Sequence, residues 1–199
     1  DLIAFRDAMQ AQDVARALEL AAVEVRCHPT RIWAHLRHAM ALTKWGEFPA
    51  AADTLWDVFE RRSELSSSER ALLSNNLAYA AAMTFEQEWI ERADVPSAEA
   101  HALFPFEPLY AGTRGIVLIL SGRTAEGTRL VQQASNALGD QHEAIAGHHG
   151  MLAVAAAMSG DAPGSHAHYR AMTTKDPKAP GHDKIKAILL RAGVLAPHQ

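Results

Sequence analysis

Three segments of this chain repeat one pattern of glycine, small residue and apolar residue at fixed spacing. The first runs from Leu42 through Gly46 to Ala51, with Leu55 next. The second runs from Leu118 through Gly122 to Gly127, with Val131 next. The third runs from Ala156 through Gly160 to Ser165, with Tyr169 next. In each, a small residue follows the glycine by five positions and an apolar residue comes four later. A glycine at a helix end can take the left-handed conformation that closes the helix. The small residue lets a second helix approach the first closely. The apolar residue one turn on lies on the same face. The pattern therefore predicts helical hairpins, repeated along the chain.

The spacing predicts more of them. The glycines lie 76 and 38 residues apart, so a unit of 38 places a further turn near residue 84. The stretch Asn75 to Phe85 reads as a helix ending there. Upstream, Asp13 to Ala21 reads as another second helix, with Ala17 preceding Ala51 by 34 residues. Pro29 closes that helix, and Pro177 plays the same part after the third glycine unit. Alanine supports the reading. The chain holds 39 Ala against 17 Val plus Ile. Alanine is the best helix former and the β-branched residues favour strands, so a β-sandwich or barrel is disfavoured.

The expected helices run over about 2–10, 13–27, 31–45, 49–62 and 67–84, then 108–121, 124–138, 141–159, 162–174 and 183–192. Asp13 suits an N-cap. Ser66-Ser-Ser-Glu69 reads as a capping box. Pro163 stands near a helix start, where a missing N–H costs least. Phe85 to Pro108 is the irregular stretch. Glu86 to Asp94 reads either as a helical extension or as a loop insertion. Pro96 is not expected inside a regular helix, so a disturbed partner helix is placed near 96–104.

These residues resemble the tetratricopeptide repeat family (TPR), whose helix–turn–helix units recur about every 34 residues. Gly115 matches the family's first-helix glycine. Ala17, Ala51, Gly127 and Ser165 match its small second-helix residue. Asn76-Leu77-Ala78 resembles a frequent first-helix sequence, and Pro29 and Pro177 match the closing proline. The resemblance covers nearly the whole chain, in degenerate units with a longer spacing than usual. It implies an all-α, right-handed superhelical array of about five hairpins plus a capping helix. One domain spans 1–199, with units at about 1–29, 30–65, 66–107, 108–140 and 141–180 and a cap at about 181–193. In the cap, Ile185, Ile188 and Leu189 are expected to cover the last hairpin while Lys184, Lys186 and Arg191 stay in water.

Bulk properties narrow the function classes. The net charge is −4, with no basic run that would mark a nucleic-acid footprint or a membrane patch. The longest apolar run, Met151 to Met158, is too short to span a bilayer, so no membrane insertion is expected. Cys27 is the only cysteine, which excludes an internal disulfide and Cys-based structural zinc sites. Asp1-Leu-Ile-Ala-Phe-Arg6 lacks the basic start and apolar core of a signal peptide. The chain begins without Met, which admits a trimmed chain or a piece of a larger protein. A cytoplasmic location, or the solvent-exposed part of a larger protein, is expected.

No catalytic set emerges. The nucleophile-elbow, dinucleotide and P-loop signatures are all absent. Eleven histidines raise a metal hypothesis. His35 and His38 share a helix face. His142-Glu143 begins like a zinc-peptidase motif, but Ile145 and Ala146 stand where the second His should be. His148 and His149 diverge on a helix, and so do His166 and His168. The histidines are expected at the surface or in helix packing. Cys27, Glu86, Glu88 and Glu91 suggest no active site either. The expectation is a chain that is not an enzyme and has no cofactor.

The resemblance implies a concave groove lined by the first helices. Transferring the family's pattern gives Trp33, Leu36, Met40 and Lys44, then Leu72, Asn75, Tyr79 and Met83. It also gives Leu109, Ile116, Ile119, Leu120, Val154 and Met158. The alternative for these residues is packing between helices, above all for Ile116, Ile119 and Val154. The family's carboxylate-gripping positions fall on Leu2, Arg6, Met40, Leu72 and Asn76. Only Arg6 and Asn76 are of suitable type, so a carboxylate clamp is disfavoured. The leading expectation is an interaction scaffold that binds a peptide or partner helix in an apolar groove. A regulatory or recruiting domain of a larger enzyme or membrane protein is the second reading. A histidine-based metal protein or small enzyme is the third. Self-association through uncapped ends is also open, as a homo-oligomer.

Overall fold

The computed structural model describes residues 2–196. Among the described residues the chain forms eleven α-helices and no strand. These are α1 (Leu2–Gln10), α2 (Val14–Cys27), α3 (Ile32–Lys44), α4 (Phe48–Phe59), α5 (Ser67–Met83) and α6 (Gln87–Leu103), followed by α7 (Pro108–Leu120), α8 (Thr124–Leu138), α9 (Ala144–Met158), α10 (Ala162–Lys175) and α11 (His182–Arg191). Consecutive helices pair as hairpins, from α1 with α2 to α9 with α10. From α3 onward each odd-numbered helix also packs on the next odd one. The odd helices thus form an inner layer and the even ones an outer layer. The main core lies between the layers, around Leu36, Leu55, Leu77, Val117, Met151 and Leu189. A smaller core joins α1 and α2 to α3 through Phe5, Ala8, Ala17, Ala21 and Ala41.

The caps follow local chemistry. The Asp13 side chain accepts the Arg16 N–H at 3.1 Å. Ser66 and Glu69 form the reciprocal capping box of α5. Removing such a cap costs about 1 kcal/mol.

Every turn inside a hairpin contains one left-handed residue. These are Gln12, Gly46, Phe85, Gly122 and Gly160, and Gly193 occupies the same place after α11. At Gly122 the next amide, Arg123 N–H, reaches back to the Leu118 carbonyl at 2.8 Å. This is the six-residue closure that satisfies an orphan helix carbonyl. The turns at Gln12, Gly46, Gly160 and Gly193 make the same bond.

The turn at Phe85 differs. Its φ is +58°, which costs a non-glycine residue roughly 1–2 kcal/mol. Glu86 N–H donates to the Thr84 hydroxyl at 3.1 Å rather than to a carbonyl. That hydroxyl donates in turn to the Ala81 carbonyl at 2.8 Å. A buried threonine therefore relays the bond that the other turns make directly.

Small residues sit where the helices of a hairpin touch. Ala17, Ala51 and Ser165 are fully buried, and the Ser165 hydroxyl donates to the Ala153 carbonyl across the crossing at 2.8 Å. Gly115 of α7 and Gly127 of α8 meet backbone to backbone. A Cβ on Gly127 would stand 2.8 Å from Ile119 N, and one on Gly115 would stand 2.8 Å from the Gly127 carbonyl oxygen.

The structure corrects one expectation. α6 is continuous from Gln87 to Leu103, and buried Pro96 lies inside it. Tertiary bonds around the proline offset its missing N–H. Arg114, buried on α7, donates to the Asp94 carbonyl at 3.0 Å, to its carboxylate at 2.6 Å and to Ser97 Oγ at 2.9 Å. Near the other end of α6, Glu99 accepts from Arg62 and Ser74 and pairs with Arg70. Packing of the helix against both neighbours thus outweighs a local preference worth about 3 kcal/mol.

Candidate peptide-binding groove

The inner layer presents the residues that the repeat pattern selects, but at different depths. Trp33 and Met40 on α3 are 49% and 51% exposed. They stand seven residues apart, two turns along one helix face. Leu72, Asn75 and Tyr79 on α5 are half-buried. Leu36, Met83 and Ile116 are buried and spend their surface on packing, as do Ile119 and Val154. Lys44, Leu109 and Met158 are exposed, and Leu120 is half-buried.

Tyr79 meets Phe48 edge-on, with ring centroids 6.5 Å apart. Burial, with the Glu143 carboxylate adding to it, pushes its hydroxyl pKa up to about 12, so it stays a neutral phenol. The Asn75 side-chain oxygen is buried without a hydrogen-bond partner among the described residues.

Two concavities lie where the inner helices end. The first, of about 680 Å³, lies between the α3–α4 turn (Thr43 to Gly46), the end of α5 (Met83, Thr84) and the segment 177–184. The second, of about 420 Å³, is walled by Phe85, Ile90, Leu120, Val154 and Met158 on one side. Lys184, Ala187, Ile188 and Arg191 of α11 form its other side. Lys184 borders both. Trp33, Leu36, Met40, Leu72, Asn75, Tyr79 and Ile116 line neither cleft.

The segment after α10 is what sequence reasoning missed. Ala179 is buried in the main core. Gly181, left-handed at φ +76°, lies so close to α5 that a Cβ would stand 2.5 Å from the Met83 methyl and 2.8 Å from the Phe85 ring. The chain's own residues therefore cover Met83. Pro177 and Pro180-Gly181 are the local signs of a turn there. Nothing in the sequence tied it to residues a hundred positions earlier.

Lys44, Lys178, Lys184 and Arg191 border the two clefts, and none of them is in an ion pair among the described residues. The carboxylates at the border are Glu86 and Asp183, and Asp183 is held by the His182 ring at 3.2 Å. The rim is locally cationic on a chain of net charge −4.

Several histidines join helices. His148 of α9 is buried and bonds Ser135 of α8 at 2.9 Å. Ser135 donates its proton to the Val131 carbonyl, so its lone pair receives the imidazole Nδ1–H. Burial, reinforced by His142 and His149, lowers the His148 pKa to about 4. His149 and His168 face each other across α9 and α10, with Nδ1 atoms 3.2 Å apart. Burial lowers both their pKa values. Among the described residues no three metal-ligating side chains converge. Among them, too, no helix is long and apolar enough to cross a membrane.

No family model and no curated protein sequence matches this chain. Solved structures do match. The crystal structure of TTC0263, a thermophilic TPR protein in Thermus thermophilus, is 19% identical, with a TM-score of 0.63 over 98% of this chain and 99% of that one. The MamA RS-1 ArsTM double mutant is 13% identical, with a TM-score of 0.59 over 87% and 90%. A MamA crystal structure is 12% identical, with a TM-score of 0.57 over 89% and 90%. At these identities the likeness is one of fold. Together with the hairpin pairing and the recurrent left-handed turns, it establishes that this chain has a TPR-like fold, a superhelical array of helical hairpins.

Proposed function

We propose that this protein is a non-catalytic protein–protein interaction scaffold that holds a peptide or partner helix on its inner face. The carrying observation is the exposure of Trp33 and Met40 on one face of α3. Two large apolar side chains left open on a folded surface mark a contact site. Leu72, Asn75 and Tyr79 extend the face onto α5, while Leu36 and Ile116 are buried in the main core and Met83 lies against the segment 177–184. Such a scaffold acts in the cytoplasm or as the solvent-facing part of a larger protein.

Site-directed photo-crosslinking tests this. A photoreactive amino acid at Met40 should capture one recurrent partner peptide in cells of the source, and Trp33→Ala should abolish the adduct. The same probe at Gln133, exposed on α8, should not capture it. Equal capture from both sites, or capture indifferent to Trp33→Ala, would overturn the groove reading.

A further inference from the structure

We infer that the cleft between Phe85 and α11 docks an acidic polypeptide segment through a large apolar side chain. This deepens the scaffold reading and rests on it. The walls are apolar: Phe85, Ile90, Leu120, Val154, Met158 and Ile188. Met158 is 52% exposed although it stands on the inner layer. A volume of about 420 Å³ suits one or two large side chains. The cations stand on the rim. Lys184 and Arg191 lie one on each side of Ile188 along α11, seven residues apart, so they share its face. Lys44 and Lys178 continue the positive rim into the adjoining cleft.

A chain of net charge −4 repels acidic partners in general. Lys184 and Arg191, outside any ion pair at this apolar opening, make a local exception, and Lys44 and Lys178 outnumber the accessible Glu86 in the adjoining cleft, where Asp183 is held by His182. These cations fit a segment whose carboxylates flank an aromatic or aliphatic anchor. Phe85 supports the reading independently. Three of the five hairpin turns place Gly at the left-handed position, and the other two place Gln12 and Phe85. Of these two, Phe85 is the one whose side chain becomes a wall of the cleft. Strained non-glycine conformations gather at binding sites.

Fluorescence polarisation tests it on the whole chain. The probe is a fluorescein-labelled peptide with two central phenylalanines flanked by three glutamates on each side. One control replaces the glutamates by lysines, and the other replaces the phenylalanines by serines. The acidic aromatic peptide should bind at least about tenfold more tightly than either control, and more weakly as salt rises. Lys184→Glu with Arg191→Glu should weaken it about tenfold or more. Both residues are exposed, so the fold should stay intact by circular dichroism. Phe85→Gly should weaken it by removing the wall. Equal affinity for the three peptides, or indifference to the charge reversal, overturns the cleft proposal. Met40 capture separates the two readings. If it persists while the acidic peptide fails, the cleft proposal alone falls. If it is lost while the peptide still binds and responds to the charge reversal, the groove reading alone falls.

Discussion

The third and fourth hairpins do the same architectural work with opposite chemistry. In α7–α8 the turn, the crossing and the next inward position carry Gly122, Gly127 and Val131. In α5–α6 the same places carry Phe85, Ile90 and Asp94. The fourth hairpin closes by backbone alone, with a direct bond at the turn and two glycines in contact at the crossing. The third needs side chains throughout. Thr84 relays the turn bond, and Arg114 holds the Asp94 carboxylate and carbonyl. The difference teaches that a repeat can lose its local signature and keep its shape, provided neighbouring units supply the missing bonds. The departures also gather at one place. Phe85 and Ile90 both wall the cleft beside α11.

The largest effect should come from the backbone contact. Gly127→Leu has no space, since even a Cβ would stand 2.8 Å from Ile119 N. We expect a loss of about 3 kcal/mol or more in urea unfolding. Ile90→Val in the third hairpin removes one buried methylene without a clash and should cost about 1 kcal/mol, so a loss there as large as that of Gly127→Leu would break the comparison.

Next comes acid sensitivity at the α8–α9 junction. The His148 pKa falls from the usual 6.5 to about 4 in the folded chain. Between these values the unfolded state binds more protons, so stability rises with pH. It is fully present above about 6.5 and lost as pH falls through 4. The size is about 3 kcal/mol. His148→Asn, which keeps a donor near the Nδ1 position, should flatten much of that acid limb in thermal melts. An unchanged limb would place the proton uptake elsewhere.

The smallest effect sharpens the turns. Thr84→Val should cost about 1–2 kcal/mol by leaving Glu86 N–H without its acceptor. In a Phe85→Gly background the direct closure can form, and the cost should shrink toward zero. Ser121 stands at the same place before Gly122 and bonds only its own helix carbonyls. Ser121→Ala should therefore cost little in the same denaturation series. A Thr84→Val cost that persists with Gly at 85 would reject the relay.

The hairpins were legible because their information is short-range. Gly46, Gly122 and Gly160 stand at left-handed turns, and Ala17, Ala51, Gly127 and Ser165 are buried at crossings. Spacing alone located the turn near 84, although neither Thr84 nor Phe85 carries the glycine signal. Pro96 misled for a physical reason. The helix around it depends on Arg114, which stands 18 residues further along and donates to Asp94 and Ser97. The inner-face pattern selected Trp33 and Met40 together with Leu36 and Ile116 but could not sort exposed from buried. On a stacked inner layer that depends on how deep each neighbour sits.

The all-helical hairpins follow from local sequence, because turn closure, capping and close crossing are settled by residues within about ten positions of each other. Where the inner face stays open depends instead on how the hairpins stack. The relative placement of successive hairpins accumulates along the array. That sum brings Gly181 against Met83 and Phe85 and lays α11 beside Leu120 and Met158. No local pattern contains it.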